Sequence, residues 1–132
     1  MEIKRNESTI NRPEGDRVID ATFVFVDTPD YIRQLKDENA WDKNDRNGIT
    51  VFKSPHLTIV VTALKKNAEI SNNNVDGYLT VQVLKGKLQV ATVEGDMTVE
   101  EMQEIAFHPN VEHSMKAISD SIIQLRTYRN IS

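Results

Sequence analysis

Three histidines, His56, His108 and His113, are the side chains of this sequence suited to proton transfer near neutrality, and no cysteine accompanies them. Disulfide scaffolds, thiolate zinc sites and cysteine nucleophiles are therefore excluded together. His56 follows Ser54-Pro55 in a polar turn and reads as an exposed loop residue. His108 alternates with Phe107 at a strand end and reads as a surface or subunit-contact residue. The run Asn72-Asn73-Asn74 reads first as a turn built from residues that tolerate unusual φ, and second as a source of amide donors and acceptors for a bound polar molecule. Trp41 reads as cover for the core, and Glu100-Glu101 as a solvated acidic pair. No nucleophile–base–oxyanion arrangement and no glycine-rich phosphate loop is visible.

The elements that must position these residues are mostly strands. Residues 1–17 read as an irregular arm, with Asn6, Ser8, Asn11, Pro13 and Gly15. Val18 to Val26, rich in β-branched and aromatic residues, predicts a strand. A helix is predicted over 28–40, with Thr28 as cap, Pro29 in the first turn and Asp30 at the positive end of the dipole. After the polar loop Asp42 to Gly48, the pattern turns to β: Ile49 to Lys53, Leu57 to Leu64, Tyr78 to Leu84, Leu88 to Val93, Glu104 to His108, Ser114 to Ile118 and Ser121 to Tyr128. Ser71 to Asp76 reads as a polar loop between them. Short strands joined by tight polar turns at this spacing predict a sandwich or barrel, not a βαβ fold.

At 132 residues the chain has room for one sizeable core, so a single domain over 1–132 is expected, with a barrel core over 49–128. The net charge of −4 and the lack of clustered Lys and Arg argue against nucleic-acid and anionic-membrane partners. The polar first twenty residues and the absence of cysteine lead to the expectation of a cytoplasmic protein.

Leu79 to Val90, LTVQVLKGKLQV, resembles the first cupin motif: an apolar strand, Val-Leu-x-Gly, then a second strand. Gly86 supplies the positive φ that a tight hairpin there demands. Phe107 to Ala117, FHPNVEHSMKA, is similar to the second cupin motif, in which a proline-glycine turn precedes a histidine that opens an inward-facing strand. Pro109 and His113 match; Asn110 stands where glycine is usual and is the residue that best replaces it in the left-handed region. The resemblance covers about Leu64 to Tyr128. It implies an all-β fold: a single antiparallel β-barrel of the RmlC-like cupin (jelly-roll) type, here with one short N-terminal helix, and barrels of that superfamily commonly pair into homodimers. Leu57 to Leu64 adds a reason for a dimer, because Val60 and Leu64 on its outer face would leave an apolar patch.

The departures bear on function. The family's glutamate ligand, seven residues before the hairpin glycine, falls on Leu79, and its His-x-His pair falls on Asn72 and Asn74 or on Asn73 and Val75. Neutral amides bind first-row metals weakly, so no metal and no cofactor is expected. The family pattern aims His113 into the barrel. There it serves as a packed histidine with bonded ring nitrogens, as a polar anchor for a ligand, or as a proton-transfer group. The pocket implied is lined by Leu79, Val81, His113 and Met115, with Asn72 and Asn74 near its mouth. The expected function is a metal-free small-molecule-binding, sensor or accessory protein. The alternatives are a metal-independent isomerase, epimerase or lyase using His113 as general acid or base, and a metal-dependent dioxygenase-like enzyme that the lost ligands nearly remove.

Overall fold

The structure is a computed structural model that describes residues 2–10, 12–73 and 75–130; for Asn72 and Asn73 the description is of the backbone alone. Among these residues the order is β1 (Lys4–Asn6), β2 (Arg17–Asp20), α1 (Thr28–Asp37), α2 (Asn39–Lys43), β3 (Arg46–Lys53), β4 (Leu57–Leu64), β5 (Glu69–Asn73), β6 (Tyr78–Lys85), β7 (Lys87–Thr92), β8 (Gly95–Glu100), β9 (Glu104–Phe107), β10 (His113–Ala117) and β11 (Ser121–Tyr128). Two antiparallel sheets, ordered β3-β4-β11-β6-β9 and β5-β10-β7-β8, enclose one core, and β1 pairs with β2 in a separate ribbon. The fold is all-β and of jelly-roll class, with the two sheets facing each other instead of closing into a continuous barrel. No helix among the described residues is long and apolar enough to cross a membrane.

Alternation sets the inner wall. Leu79, Val81 and Val83 of β6, Leu88 and Val90 of β7, and Met115 and Ala117 of β10 are all buried in one cluster, with Leu64 and Ile123 beside them. The outer face of β3, β4 and β11 carries a second cluster, Ile49, Val51, Val61, Ala63 and Ile122, closed by Leu35 of α1. This corrects the expectation for β4. Leu64 and Val60 face the barrel interior, Val60 opposite Leu125, while Val61 and Ala63 face out beneath the helix. The patch expected from Val60 and Leu64 is therefore absent, and both faces of β4 are apolar because helices cover the outer one.

Several boundaries differ for local reasons. Asp27, not Thr28, caps α1, its side chain accepting from the amide of Asp30 at 3.4 Å. The single helix expected over 28–40 is broken at Glu38, whose extended ψ of 146° separates α1 from α2. The strand expected over Val18 to Val26 ends at Asp20: the next residues find no partner strand among the described residues, Val26 packs beneath α1, and Phe23 and Phe25 stand 85% and 81% exposed. The arm is not wholly irregular, since Lys4–Asn6 pairs with β2. It is tied down by Arg12, whose Nε donates to both oxygens of Glu38 at 3.1 and 2.9 Å.

Gly86 is the largest correction. It joins β6 to β7, which lie in different sheets, so it forms a barrel corner and not a hairpin. The crossing from β10 to β11 lies against it: Ser121 Oγ accepts from the amide of Lys87 at 3.1 Å and the amide of Ile118 donates to the carbonyl of Lys87 at 2.9 Å. The β4-to-β5 crossing joins them, with the amide of Lys66 donating to Asp120 Oδ1 at 2.8 Å and the amide of Asn67 to the carbonyl of Ala117 at 2.8 Å. Three crossings laced together close one end of the barrel. The opposite end is the mouth, where β5 ends and β6 and β10 begin.

Candidate functional site: the barrel mouth

His113 opens β10 at this mouth, paired with Asn73 of β5 and Thr92 of β7. The turn before it uses Asn110 at φ 63°, the left-handed conformation in which asparagine substitutes for glycine. The strand that follows alternates, so His113, Met115 and Ala117 all point inward, and His113 is only 4% exposed. Its ring stacks on Phe107 of β9, with centroids 4.3 Å apart and planes 14° from parallel. Phe107 in turn pairs with Leu79.

The hydrogen bonding of the ring decides what the site offers. His113 Nδ1 lies 3.0 Å from the carbonyl oxygen of Val111, which can only accept. In the neutral ring the proton therefore sits on Nδ1, and Nε2 presents a lone pair. Nε2 is buried and has no hydrogen-bond partner among the described residues. A buried acceptor without a donor costs about 1–3 kcal/mol, so this atom is an exception that calls for a cause.

Of the pocket residues expected from the sequence, Leu79, Val81 and Met115 share the core cluster, and Phe107 links His113 to it. Asn74 lies outside the described residues, as does the side chain of Asn72. The half-buried Ile70, Val75 and Val111 pack around the same mouth. Sequence reasoning did not identify Phe107 or the Val111 carbonyl as partners of His113. The alternation in Phe107-His108 placed Phe107 on the inner face, which was the available signal.

A transition metal does not fit these residues. Leu79 occupies the glutamate position, Val75 one imidazole position, and His113 has one nitrogen committed to a carbonyl. Among the described residues no three His, Cys, Asp or Glu side chains converge to hold an ion. The other histidines are exposed and do not join His113: His56 Nδ1 meets the carbonyl of Arg129 at 3.0 Å, and His108 tilts against Tyr78 at 5.3 Å. Trp41 covers the outer cluster, with Lys65 Nζ 4.9 Å above its ring. Two cavities, of about 460 and 640 Å³, lie outside the barrel, against the N-terminal arm.

No protein-family model matches the chain, and no curated protein matches it in sequence. Solved structures do match. A cupin superfamily protein from Desulfitobacterium hafniense superposes with a TM-score of 0.64 at 10% identity, over 66% of this chain and 80% of that one. An RmlC-like cupin from Shewanella frigidimarina gives 0.61 at 14% identity, over 65% and 78%. A conserved protein of unknown function from Streptococcus pyogenes gives 0.62 at 22% identity, over 66% and 76%. The fold is that of the cupin superfamily, the class that the two sequence motifs resemble.

Proposed function

We propose that the chain is a metal-free cupin-type protein that binds a small, partly apolar molecule at the barrel mouth, acting as a sensor or accessory protein and not as an enzyme. The carrying observation is the buried Nε2 of His113, which has no hydrogen-bond partner among the described residues and is set in an apolar wall. A hydroxyl or N–H group on an otherwise apolar, neutral ligand would supply the missing donor. Entry requires local repacking, for which the unbranched Met115 beside it is suited. The isomerase, epimerase or lyase reading lacks support, because a backbone carbonyl and not a carboxylate orients the ring. The dioxygenase-like reading lacks its ligands. A cytoplasmic setting belongs to the same proposal and agrees with a cysteine-free chain.

Screening metabolites by thermal shift is expected to give hits among neutral compounds bearing a hydroxyl or amide. Protein purified without a tag is expected to carry no stoichiometric iron, manganese, nickel or zinc. His113→Gln keeps stability within about 1 kcal/mol and diminishes the ligand-induced shift. A shift that survives the substitution intact, or a turnover that falls roughly a hundredfold with it, overturns the reading.

We also propose that the protein is a homodimer, formed through the segment that follows β2. Its alternating, β-prone residues have no partner strand among the described residues and leave Phe23 and Phe25 in water. A second copy presents the same unpaired segment, which makes a two-fold contact self-complementary. Light scattering is expected to return twice 15.0 kDa, falling to 15.0 kDa for the double variant Phe23→Ser, Phe25→Ser. A wild-type mass of 15.0 kDa at every concentration refutes the dimer.

A further inference from the structure

The N-terminal arm and the helical cover flank an open pocket of about 460 Å³, whose lining includes Asn6, Glu7, Thr9, Arg12, Arg17 and Glu38. The two guanidinium groups in it are not equivalent. Arg12 is neutralised: its Nε donates to both oxygens of Glu38, and its Nη2 donates to Asn47 Oδ1 at 3.1 Å and to the carbonyl of Gly48 at 2.8 Å. Arg17 is held as firmly but forms no ion pair among the described residues, Glu38 acting on it only from beyond contact distance. Its Nε donates to the carbonyl of Thr50 at 2.8 Å and its Nη1 to the carbonyl of Gly15 at 2.7 Å. Among the described residues it has no carboxylate partner, and its Nη2 makes no hydrogen bond. Burial lowers the proton affinity of Arg17, and so does the nearby Arg12; Tyr31 and Glu38 offset this only in part.

We propose that this cavity is a binding site for a small molecule bearing a single carboxylate, with Arg17 as its charged anchor. Two carbonyls fix the fork of Arg17 before any ligand arrives, so little side-chain freedom is lost on binding. The carboxylate accepts from the remaining Nη2, and the amide of Asn6 and the hydroxyl of Thr9 line the same space as further donors. Glu7 also lines the cavity and has no ion pair among the described residues. Its charge disfavours doubly charged phosphates, which is why a monoanion is the expected class. The site lies outside the barrel and is independent of His113.

Titration of the wild-type protein with sodium benzoate and, separately, with inorganic phosphate tests this. Benzoate is expected to raise Tm saturably and to move the Nε–H NMR resonance of Arg17; phosphate is expected to do so at least roughly tenfold more weakly. Arg17→Gln abolishes the benzoate shift. Arg5→Gln, on an exposed arginine paired with Asp16, leaves it unchanged, as does His113→Gln, which separates this site from the barrel mouth. An unmoved Arg17 resonance, or an equal benzoate shift in Arg17→Gln, overturns the assignment. Tighter binding of phosphate than benzoate overturns the monoanion class. Should Arg17→Gln fail to fold, the wild-type NMR titration decides alone.

Discussion

Gly86→Ala is expected to destabilise the protein by about 3 kcal/mol or more, a large part of the margin of a domain this size. Two effects add. The residue sits at φ +95°, which strains any side chain with a Cβ. A Cβ there would also press into Ser121 Oγ and lie 2.6 Å from the carbonyl oxygen of Asp120 and 2.8 Å from Ser121 Cα. Those atoms belong to the neighbouring sheet crossing and cannot retreat without breaking the bonds from Ser121 to Lys87. Gly95→Ala isolates the first effect, since Gly95 has φ +135° and nothing within 4 Å of the added Cβ. It is expected to cost only about 1 kcal/mol. Urea denaturation of the two variants measures the difference. Equal losses would show that the crossings are not packed against each other at this corner.

The same corner marks where sequence reasoning stops. The residues of Val-Leu-x-Gly announce a positive φ and two flanking strands, and both are present. They do not say whether the strands pair with each other or with strands far along the chain, because alternation records a face and not a neighbour. The edge strands Glu69–Asn73 and Gly95–Glu100 were missed for a related reason. Ile70 in one and Val99 in the other are the residues packed in the core, too few to reveal a period of two. At the mouth, the match around Pro109 and Asn110 placed His113 inward. The orphaned Nε2 was not legible, because it depends on the Val111 carbonyl occupying Nδ1 and on Phe107 covering one face of the ring. Arg12, Arg17 and Glu38 were invisible as a group for the same kind of reason. Their meeting depends on an arm that folds back across α1 and β3, and nothing local in residues 1–17 encodes that return.

Glu38→Ala is expected to cost about 2 to 3 kcal/mol, because it removes the acceptor at the centre of that meeting. Glu38 is buried, and its two oxygens receive Arg12 Nε, Asn47 Nδ2 at 2.9 Å and Gln34 Nε2 at 3.1 Å. Removing it leaves the guanidinium of Arg12 without a counter-charge and two buried amides short of a partner. Burial alone would push the Glu38 carboxyl up. The donors from Asn47, Gln34 and Arg12, with the charge of Arg12, outweigh it and hold the group below the ordinary 4.5. A lowered value means that the folded state favours the ionised form. Its contribution is then fully present above pH 4.5 and is lost as the pH falls through the lower folded value. The wild-type protein should therefore lose stability on acidification below that point, and the loss should be smaller in Glu38→Gln, which cannot titrate. Denaturation midpoints measured from neutral pH down to acid test this. Parallel curves for the two proteins would mean that Glu38 does not hold the arm through its charge. A second readout follows from the position of the pair: once Arg12 is released, limited proteolysis should cut residues 1–16 in Glu38→Ala far faster than in the wild type, while the barrel core stays intact.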